Sequence, residues 1–239
     1  MHPPRFRTLL NELHLPLHLL TLLSQWNKHF GKDLNHFENQ PILIIPGFGA
    51  SDHSTILLRK FLSAAGLTVY GWGLGKNNGN VRYFLPLLEK RTIDISTEHG
   101  EPPILIGWSL GGLLAREIAR NCREHVRAVC CLGSPIVGGP AYTIYAPLLK
   151  YLKRDLTAVK RAVQARESVP IQVPSHVIYS KKDGIVHWEA CVDCFNTHTT
   201  HTELNTPHFS MGTSVEVYRE LLRWLDSILK KDATPQCQE

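Results

Sequence analysis

The chain has 239 residues, of which 43% are hydrophobic and 20% are charged. These proportions lie near the globular averages and exclude wholesale disorder, and the length fits one domain or at most two. A chain of this length buries enough surface to fold without a metal ion or a disulfide. The net charge of +5 is too small an excess to indicate a nucleic-acid-binding protein by itself.

The first forty residues are expected to form a helical extension. Helical periodicity runs over residues 5–30, with Pro16 either breaking the helix or beginning a second one. Leucines recur on one face of it, at Leu10, Leu13, Leu17 and Leu20. The simplest expectation is that this stripe packs on the domain, and the alternative is a peripheral membrane helix. Polar residues interrupt the stretch and no cleavage pattern follows it, so we expect a cytoplasmic protein, with membrane association left open.

From residue 41 onward, short apolar runs alternate with stretches of helical periodicity. Five runs predict strands, at residues 42–45, 67–70, 103–106, 126–132 and 176–179, and the segment around His201 is interpreted as a last strand. The stretches between and after them predict helices, which include 80–97, 110–122 and 213–230. Apolar strands that alternate with helices indicate an α/β fold with a mostly parallel sheet covered on both faces. The reactive residues of such a sheet lie beyond the carboxyl ends of its strands.

One insertion, over residues 136–172, interrupts this alternation. A structureless loop of that length would be unusual, and its leucines and valines have helical spacing, so we interpret it as a small cap over the carboxyl edge of the sheet. Residues 150–167 hold six basic and two acidic side chains, which form either a solvated helix face or a surface for anionic lipid or an acidic partner. The α/β domain is expected to span residues 41–232, before a polar tail over 233–239.

The clearest chemical signal is the sequence from Gly107 to Gly112, which reads Gly-Trp-Ser-Leu-Gly-Gly. It follows an apolar strand and begins a helix, which is the context of the sharp Gly-x-Ser-x-Gly turn that exposes a nucleophilic serine. Bulky side chains two residues before and after the serine would collide in such a turn, and glycine occupies both places here. The pattern predicts Ser109 as a nucleophile at the positive end of a helix.

A serine of this kind needs a general base and a carboxylate, which follow it in the order acid and then histidine. His208 lies in the loop before the closing helix and is the preferred base, while His201 in the last predicted strand is the lesser alternative. Asp183 follows the strand that precedes it, and there a carboxylate would orient the imidazole and stabilise its charged form. Glu189 and Asp193 remain the alternative acids, and either is otherwise a solvated carboxylate.

The tetrahedral intermediate needs two backbone N–H donors. The residue after the nucleophile, Leu110, is predicted to supply one, and Phe48 in the loop after the first strand the other. Gly47 and Gly49 in that loop allow the backbone to approach a substrate closely. Phe48 and Trp108 are expected to line the pocket for the acyl group.

These stretches resemble the lipase and esterase branch of the α/β-hydrolase superfamily, and more narrowly a group of bacterial lipase-like hydrolases. The matching stretches lie at residues 45–50, 70–75, 107–112, 132–135, 183–186 and 207–208. The chain departs from many lipases in having Pro46 before Gly47, and Trp108 before Ser109, where those enzymes have histidine. The resemblance implies an α/β-hydrolase fold, with about six mostly parallel strands flanked by helices, a small helical cap, and a triad of Ser109, His208 and Asp183.

The function that the resemblance implies is hydrolysis of a small-molecule or lipid carboxylic ester through an acyl-enzyme. One alternative is acyl transfer, in which an alcohol or a lipid replaces water and the same triad serves. Another is a membrane-associated lipid-binding protein without activity, which the leucine-rich N-terminus and the basic cap would suit. Peripheral membrane contact through those two segments is therefore an open expectation.

Cysteine spacing gives little support for a metal or redox site. Cys191 and Cys194 form a Cys-x-x-Cys pair. The nearby His198 and His201 are too irregularly spaced to complete a zinc site. The glycine-rich stretch 71–75 likewise lacks the spacing of a phosphate-binding loop. We therefore expect free thiols, no metal and no cofactor.

Overall fold

The computed structural model describes residues 1–4, 6–29, 37, 39–153 and 155–233. Its centre is one sheet of six strands, all parallel, in the order β2-β1-β3-β4-β5-β6. The strands are β1 (Pro41–Ile45), β2 (Thr68–Gly71), β3 (Ile104–Trp108), β4 (Ala128–Leu132), β5 (Ser175–Tyr179) and β6 (Thr199–Glu203). The predicted parallel α/β sheet is therefore confirmed, and β3, the strand that leads to Ser109, lies near its centre.

Helices cover both faces of the sheet. Their bounds are α1 (Phe6–Leu9), α2 (Leu15–His29), α3 (Ile56–Ala64), α4 (Val81–His99), α5 (Leu110–Asn121), α6 (Ala146–Tyr151), α7 (Leu156–Glu167), α8 (Trp188–Cys191) and α9 (Val215–Ala233). Apolar side chains of α3 and α9 form one core against the sheet, and those of α4 and α5 form the other. The interior strands β1, β3 and β4 are buried at every residue because both of their faces are covered.

The N-terminal segment differs from its simplest expectation. Leu10, Leu13, Leu17 and Leu20 are between 56% and 74% exposed, so the predicted packing of this stripe on the domain is wrong. Leu22, which lies off that stripe, is the fully buried leucine of the segment and joins the core of α3 and α9. Pro16 is the second residue of α2, where its missing N–H costs nothing, so it begins a second helix.

The insertion between β4 and β5 contains a short 3-10 turn followed by α6 and α7. Its first part is hydrogen-bonded to the loop after β5, because Ile144 N–H donates to Ile185 O at 2.9 Å. Its last part is held by Glu167, which forms buried ion pairs with Arg116 and Arg120 of α5. The insertion is thus fixed at both of its ends, and its division from the rest of the chain as a cap stays a prediction.

Two further expectations concern the ends and the surface. Residues 234–239, most of the expected polar tail, and Arg154 of the basic segment lie outside the described residues. Within the described ranges, none of the helices combines the length and the hydropathy that a membrane span needs.

Candidate active site

Ser109 occupies the turn between β3 and α5 in a conformation that side chains rarely adopt, with φ 54° and ψ −119°. The turn closes so tightly that an added Cβ at Gly107 would lie 2.4 Å from the backbone of Gly111. An added Cβ at Gly111 would in turn lie 2.1 Å from the carbonyl oxygen of Ile45. The glycines that flank Ser109 are therefore required by contact with backbone, as the sequence pattern predicts.

The sheet fixes the backbone of this turn. The N–H of Ser109 donates to Leu132 O at 2.8 Å, which continues the hydrogen bonding between β3 and β4 beyond the last paired residues. The N–H of Gly133 donates to Ile178 O at 2.9 Å and does the same for β4 and β5. The turn at Ser109 is thereby held in register with β4, and the end of β4 is held in register with β5, the strand that precedes Asp183.

Asp183 and His208 form the most direct polar contact at this edge of the sheet. Nδ1 of His208 donates to Oδ2 of Asp183 at 2.6 Å, and both side chains are buried. The other carboxylate oxygen of Asp183 accepts from Ile185 N–H at 2.8 Å and from Val186 N–H at 2.7 Å. The carboxylate is therefore oriented by its own loop, and it binds Nδ1 of the imidazole, which leaves Nε2 without a hydrogen-bond partner among the described residues.

Two opposing effects act on the pKa of His208. Burial lowers it most strongly, but the charge of Asp183, the hydrogen bond to Asp183 and the charge of Glu12 outweigh burial, so the pKa lies above the ordinary histidine value of 6.5. A base with a raised pKa is a stronger proton acceptor once it is neutral.

Ser109 and His208 lie on adjoining turns without a direct bond between them. Among the described residues, the Ser109 hydroxyl makes no hydrogen bond. The ring of Trp108, the residue before the serine, lies 6.2 Å from the His208 ring, centroid to centroid. The hydrogen bond between a nucleophile and its base often tightens only when a substrate binds, so its absence here does not argue against proton transfer.

The loop after β1 lies against the serine turn. An added Cβ at Gly47 would lie 3.1 Å from Cβ of Ser109, which shows how closely the two backbones approach. The backbone N–H groups of Phe48 and Leu110 donate to no protein acceptor in the part of the chain that the structure describes. Both are therefore available to an oxyanion. Gly49 adopts φ 77°, the left-handed conformation that glycine tolerates.

Asn77, which the sequence analysis did not single out, shapes this loop. Its side-chain Nδ2 donates to Pro46 O at 2.9 Å, its N–H donates to Ala50 O, and its carbonyl accepts from Gly49 N–H. The residue is fully buried between the loops that follow β1 and β2. No local pattern marks it, because its role depends on a loop 31 residues earlier in the chain.

Trp108 and Phe48 have different surroundings. Trp108 is 9% exposed and packs in the core, with its ring so close to Gly212 that an added Cβ there would lie 2.8 Å away. Phe48 is 49% exposed, and its ring contacts the edge of Tyr145 from the insertion at 5.4 Å between centroids. Phe48 thus faces the open side of the site, whereas Trp108 supports the His208 loop from below.

Glu12 is a second residue that the sequence analysis missed. Its carboxylate accepts N–H bonds from Gly184, His208 and Phe209 at 2.8 to 2.9 Å. Between 172 and 197 residues separate it from these partners, so no spacing rule could have found it.

The alternative residues lie elsewhere. His201 is exposed on β6, where its Nε2 accepts from Asp193 N–H at 3.0 Å. Asp193 is buried and paired with Arg116 at 2.9 Å, so the expectation of a solvated carboxylate is wrong for it. Glu189, with its side chain 45% exposed, fits that expectation. Cys191 is buried and Cys194 exposed, and the described residues contain no group of three or more metal-ligating side chains.

No family model and no curated protein sequence matches the chain. Solved structures do. One is the monoacylglycerol lipase of Paleococcus ferrophilus, with a TM-score of 0.60 and 18% identity over 80% of this chain and 97% of that one. Another is a metagenome-derived lipolytic enzyme, with a TM-score of 0.65 and 16% identity over 81% and 94%.

A soluble variant of the monoglyceride lipase of Saccharomyces cerevisiae is similar as well, with a TM-score of 0.60 and 14% identity over 83% of this chain and 89% of that one. At such identities the likeness concerns the course of the backbone. The chain has the α/β-hydrolase fold, the architecture of these lipases and esterases.

Proposed function

We propose that this protein hydrolyses carboxylic esters, with Ser109 as nucleophile, His208 as general base and Asp183 as the carboxylate that orients it. The observation that carries the proposal is the 2.6 Å bond between Asp183 and His208, located beside a serine held at positive φ. Backbone strain and perturbed pKa values both cluster at functional sites, and this edge of the sheet has one at Ser109 and the other at His208. The lipases and esterases that share the fold support the same reaction class.

The reaction follows from the geometry. Nε2 of His208 takes the proton of the Ser109 hydroxyl as its oxygen attacks the ester carbonyl. The N–H groups of Phe48 and Leu110, which have no other acceptor among the described residues, would hold the oxyanion. His208 then protonates the departing alcohol, and the acyl group stays on Ser109. Water activated by the same imidazole releases the acid.

The acyl group would lie against Phe48 and Tyr145. Both rings stand on the open side of the oxyanion loop, and Tyr145 brings the insertion into the site. Trp108, which the sequence predicts to line the acyl pocket, is instead given the role of supporting the His208 loop, because its ring is buried beneath that loop. An apolar wall of this kind favours an ester with a hydrophobic acyl chain.

The test is hydrolysis of p-nitrophenyl esters from acetate to palmitate, with Ser109→Ala and His208→Ala as variants. Both should abolish turnover, and Ser109→Ala should also abolish labelling by a fluorophosphonate. His201→Ala is the matched control and should retain activity. Activity that survives Ser109→Ala would reject the nucleophile, whereas labelling without ester turnover would favour acyl transfer to an alcohol or a lipid.

We further propose that the protein approaches ester substrates at an anionic lipid surface. Five leucines of the N-terminal segment are each more than half exposed, at Leu10, Leu13, Leu17, Leu20 and Leu23. The insertion adds exposed Leu148 and Tyr151 beside the lysines of residues 150–160. Both segments border the carboxyl edge of the sheet, since one contacts the loops after β5 and β6 and the other contacts Phe48.

A further inference from the structure

One carboxylate from the N-terminal segment joins the two loops that carry Asp183 and His208. Oε1 of Glu12 accepts from Gly184 N–H at 2.8 Å and from His208 N–H at 2.9 Å. Oε2 accepts from Phe209 N–H at 2.8 Å. The three donors are the residue after Asp183, His208 itself and the residue after His208. Each of them is a backbone group, so the contact fixes main chain rather than side chains.

The surrounding contacts show that the segment is built into this position. Nδ2 of Asn11 donates to Lys182 O at 3.1 Å, on the other side of Asp183 from Gly184. An added Cβ at Gly184 would lie 2.5 Å from Thr8 O and 3.0 Å from Cα of Leu9. The acid loop therefore receives the N-terminal segment through a glycine that leaves room for its backbone.

We propose that Glu12 is a positioning residue, which fixes the separation and the orientation of the Asp183 and His208 loops so that the imidazole is aligned for proton transfer. This inference rests on the proposed function and extends it to a segment outside the α/β domain. Glu12 acts through the backbone of the two loops and is given no contact with the substrate.

The physical need for such a residue follows from the topology. The two loops leave neighbouring strands, β5 and the edge strand β6, which are paired up to Tyr179 and Glu203. The last backbone bond of this ladder runs from Leu204 N–H to Tyr179 O, and among the described residues the sheet does not join the loops beyond it. The hydrogen bond between Asp183 and His208 sets their distance but leaves the loop backbones without a shared partner. Three charge-assisted bonds to one carboxylate supply that partner. A displacement of about 1 Å in a catalytic group costs roughly a hundredfold in rate, so this support has kinetic weight.

The charge of Glu12 has a second effect. Of the groups that face His208, Asp183 and Glu12 both raise its pKa, against the lowering that burial causes. The elements and loops packed around them also carry His14, His18, Lys182 and Glu216. Removal of the Glu12 charge should therefore lower the pKa of His208. Loss of an uncharged hydrogen bond of the same segment, such as that of Asn11 to Lys182 O, should leave this pKa unchanged.

The experiment compares Glu12→Gln and Glu12→Ala with the unaltered protein, measuring kcat/KM for p-nitrophenyl butyrate across pH. Glu12→Ala should reduce kcat/KM at its optimum by about ten- to a hundredfold, mainly through kcat. Glu12→Gln keeps an acceptor oxygen and should lose less. In both variants the acid limb should move to lower pH. Asn11→Ala, which removes a neutral bond of the same segment, is the matched control and should leave the acid limb unchanged.

A nuclear magnetic resonance titration of the His208 imidazole in the unaltered protein and in Glu12→Gln measures the same shift without any substrate. A lower imidazole pKa in a folded Glu12→Gln supports the proposal. An unchanged kcat in a folded Glu12→Ala would overturn it, and so would an unchanged imidazole pKa together with an unchanged acid limb, which would leave Glu12 a purely structural residue. If the unaltered protein shows no ester turnover, the proposed function fails by itself, and the titration still decides the role of Glu12.

Discussion

Gly133 lies directly beneath the pair formed by Asp183 and His208. A Cβ at this position would stand 2.9 Å from Nδ1 of His208 and 3.1 Å from Oδ2 of Asp183, the two atoms that share the proton. Gly133 also has φ 53°, which disfavours any side chain. The end of β4 is therefore shaped around a bond between two other loops.

Substitution Gly133→Ala should push these two side chains apart. We expect kcat/KM for a short ester to fall by about ten- to a hundredfold, because the imidazole loses its alignment. Gly100→Ala is the matched control, since Gly100 has φ 67° and an added Cβ there meets nothing within 4 Å. Thermal unfolding should show that both variants are destabilised, because alanine disfavours the positive φ of either position. Equal kinetic losses in the two would contradict the contact argument.

The raised pKa of His208 predicts the pH dependence of activity. Because the base must be neutral, kcat/KM should fall as the pH drops through a value above 6.5. Asp183→Asn removes the charge that raises this pKa, so the acid limb should move to lower pH while kcat falls by about 10⁴. Glu189→Gln, at the exposed alternative acid, should change neither quantity. If the acid limb does not move in Asp183→Asn, the charge of Asp183 does not set the pKa of His208, and the prediction is contradicted.

The raised pKa of His208 also predicts how the stability of the protein changes with pH. The native fold favours protonated His208, so its contribution to the free energy of unfolding is full below the unfolded pKa near 6.5 and is lost as the pH rises through the native value. Urea unfolding between pH 5 and 9 should show that the free energy of unfolding of the unaltered protein and that of His208→Gln differ by less as the pH rises. A difference that widens with pH would contradict this assignment.

Asn77→Ala tests how the oxyanion loop is held. The change leaves Pro46 O and Gly79 N–H without their side-chain partner inside a buried site, at a cost of about 1–3 kcal/mol in stability. If Phe48 N–H binds the oxyanion, kcat should fall by up to about a hundredfold while KM changes little. Asn78→Ala, at the exposed neighbour, is the control. A loss confined to KM would point to a role in substrate binding alone.

Leu13→Gln, Leu17→Gln and Leu20→Gln in one variant test the lipid surface. Burying a leucine side chain is worth about 1.5–3 kcal/mol, so co-sedimentation with vesicles that contain phosphatidylglycerol should weaken at least about tenfold. Hydrolysis of a soluble short ester should be retained, because these side chains face solvent. Leu87→Gln on α4 is the control. Deletion of the segment is a poorer test, since it also removes Glu12 and the buried Leu22. Unchanged co-sedimentation would end the membrane proposal.

Much of the architecture could be predicted because it depends on local signals. The turn at Ser109 is marked by glycines at fixed spacing around the serine, although the backbone that Gly111 meets belongs to Ile45 of the distant strand β1. Five of the six strands are marked by apolar runs, whereas the edge strand β6 is polar and largely exposed. The positions of Asp183 and His208 follow from chain order in such sheets.

What could not be predicted depends on distant contacts. Glu12 has an ordinary place in a helical pattern, and its meaning comes from loops at the other end of the chain. The leucine stripe has the spacing of a core face, yet it is exposed, because periodicity identifies a face without saying what covers it. Asp193 has a loop-like sequence context and is buried by a partner 77 positions earlier, Arg116.

The ladder of hydrogen bonds that continues past the ends of β3 and β4 has a consequence for amide exchange. The amide hydrogens of Ser109 and Gly133 are bonded to Leu132 O and Ile178 O, so they should exchange with solvent only when the sheet itself opens. The amides of Phe48 and Leu110 have no acceptor among the described residues and should exchange within the native state. The proposed oxyanion donors are thus free, while the backbone that aims the nucleophile at them is as protected as the core.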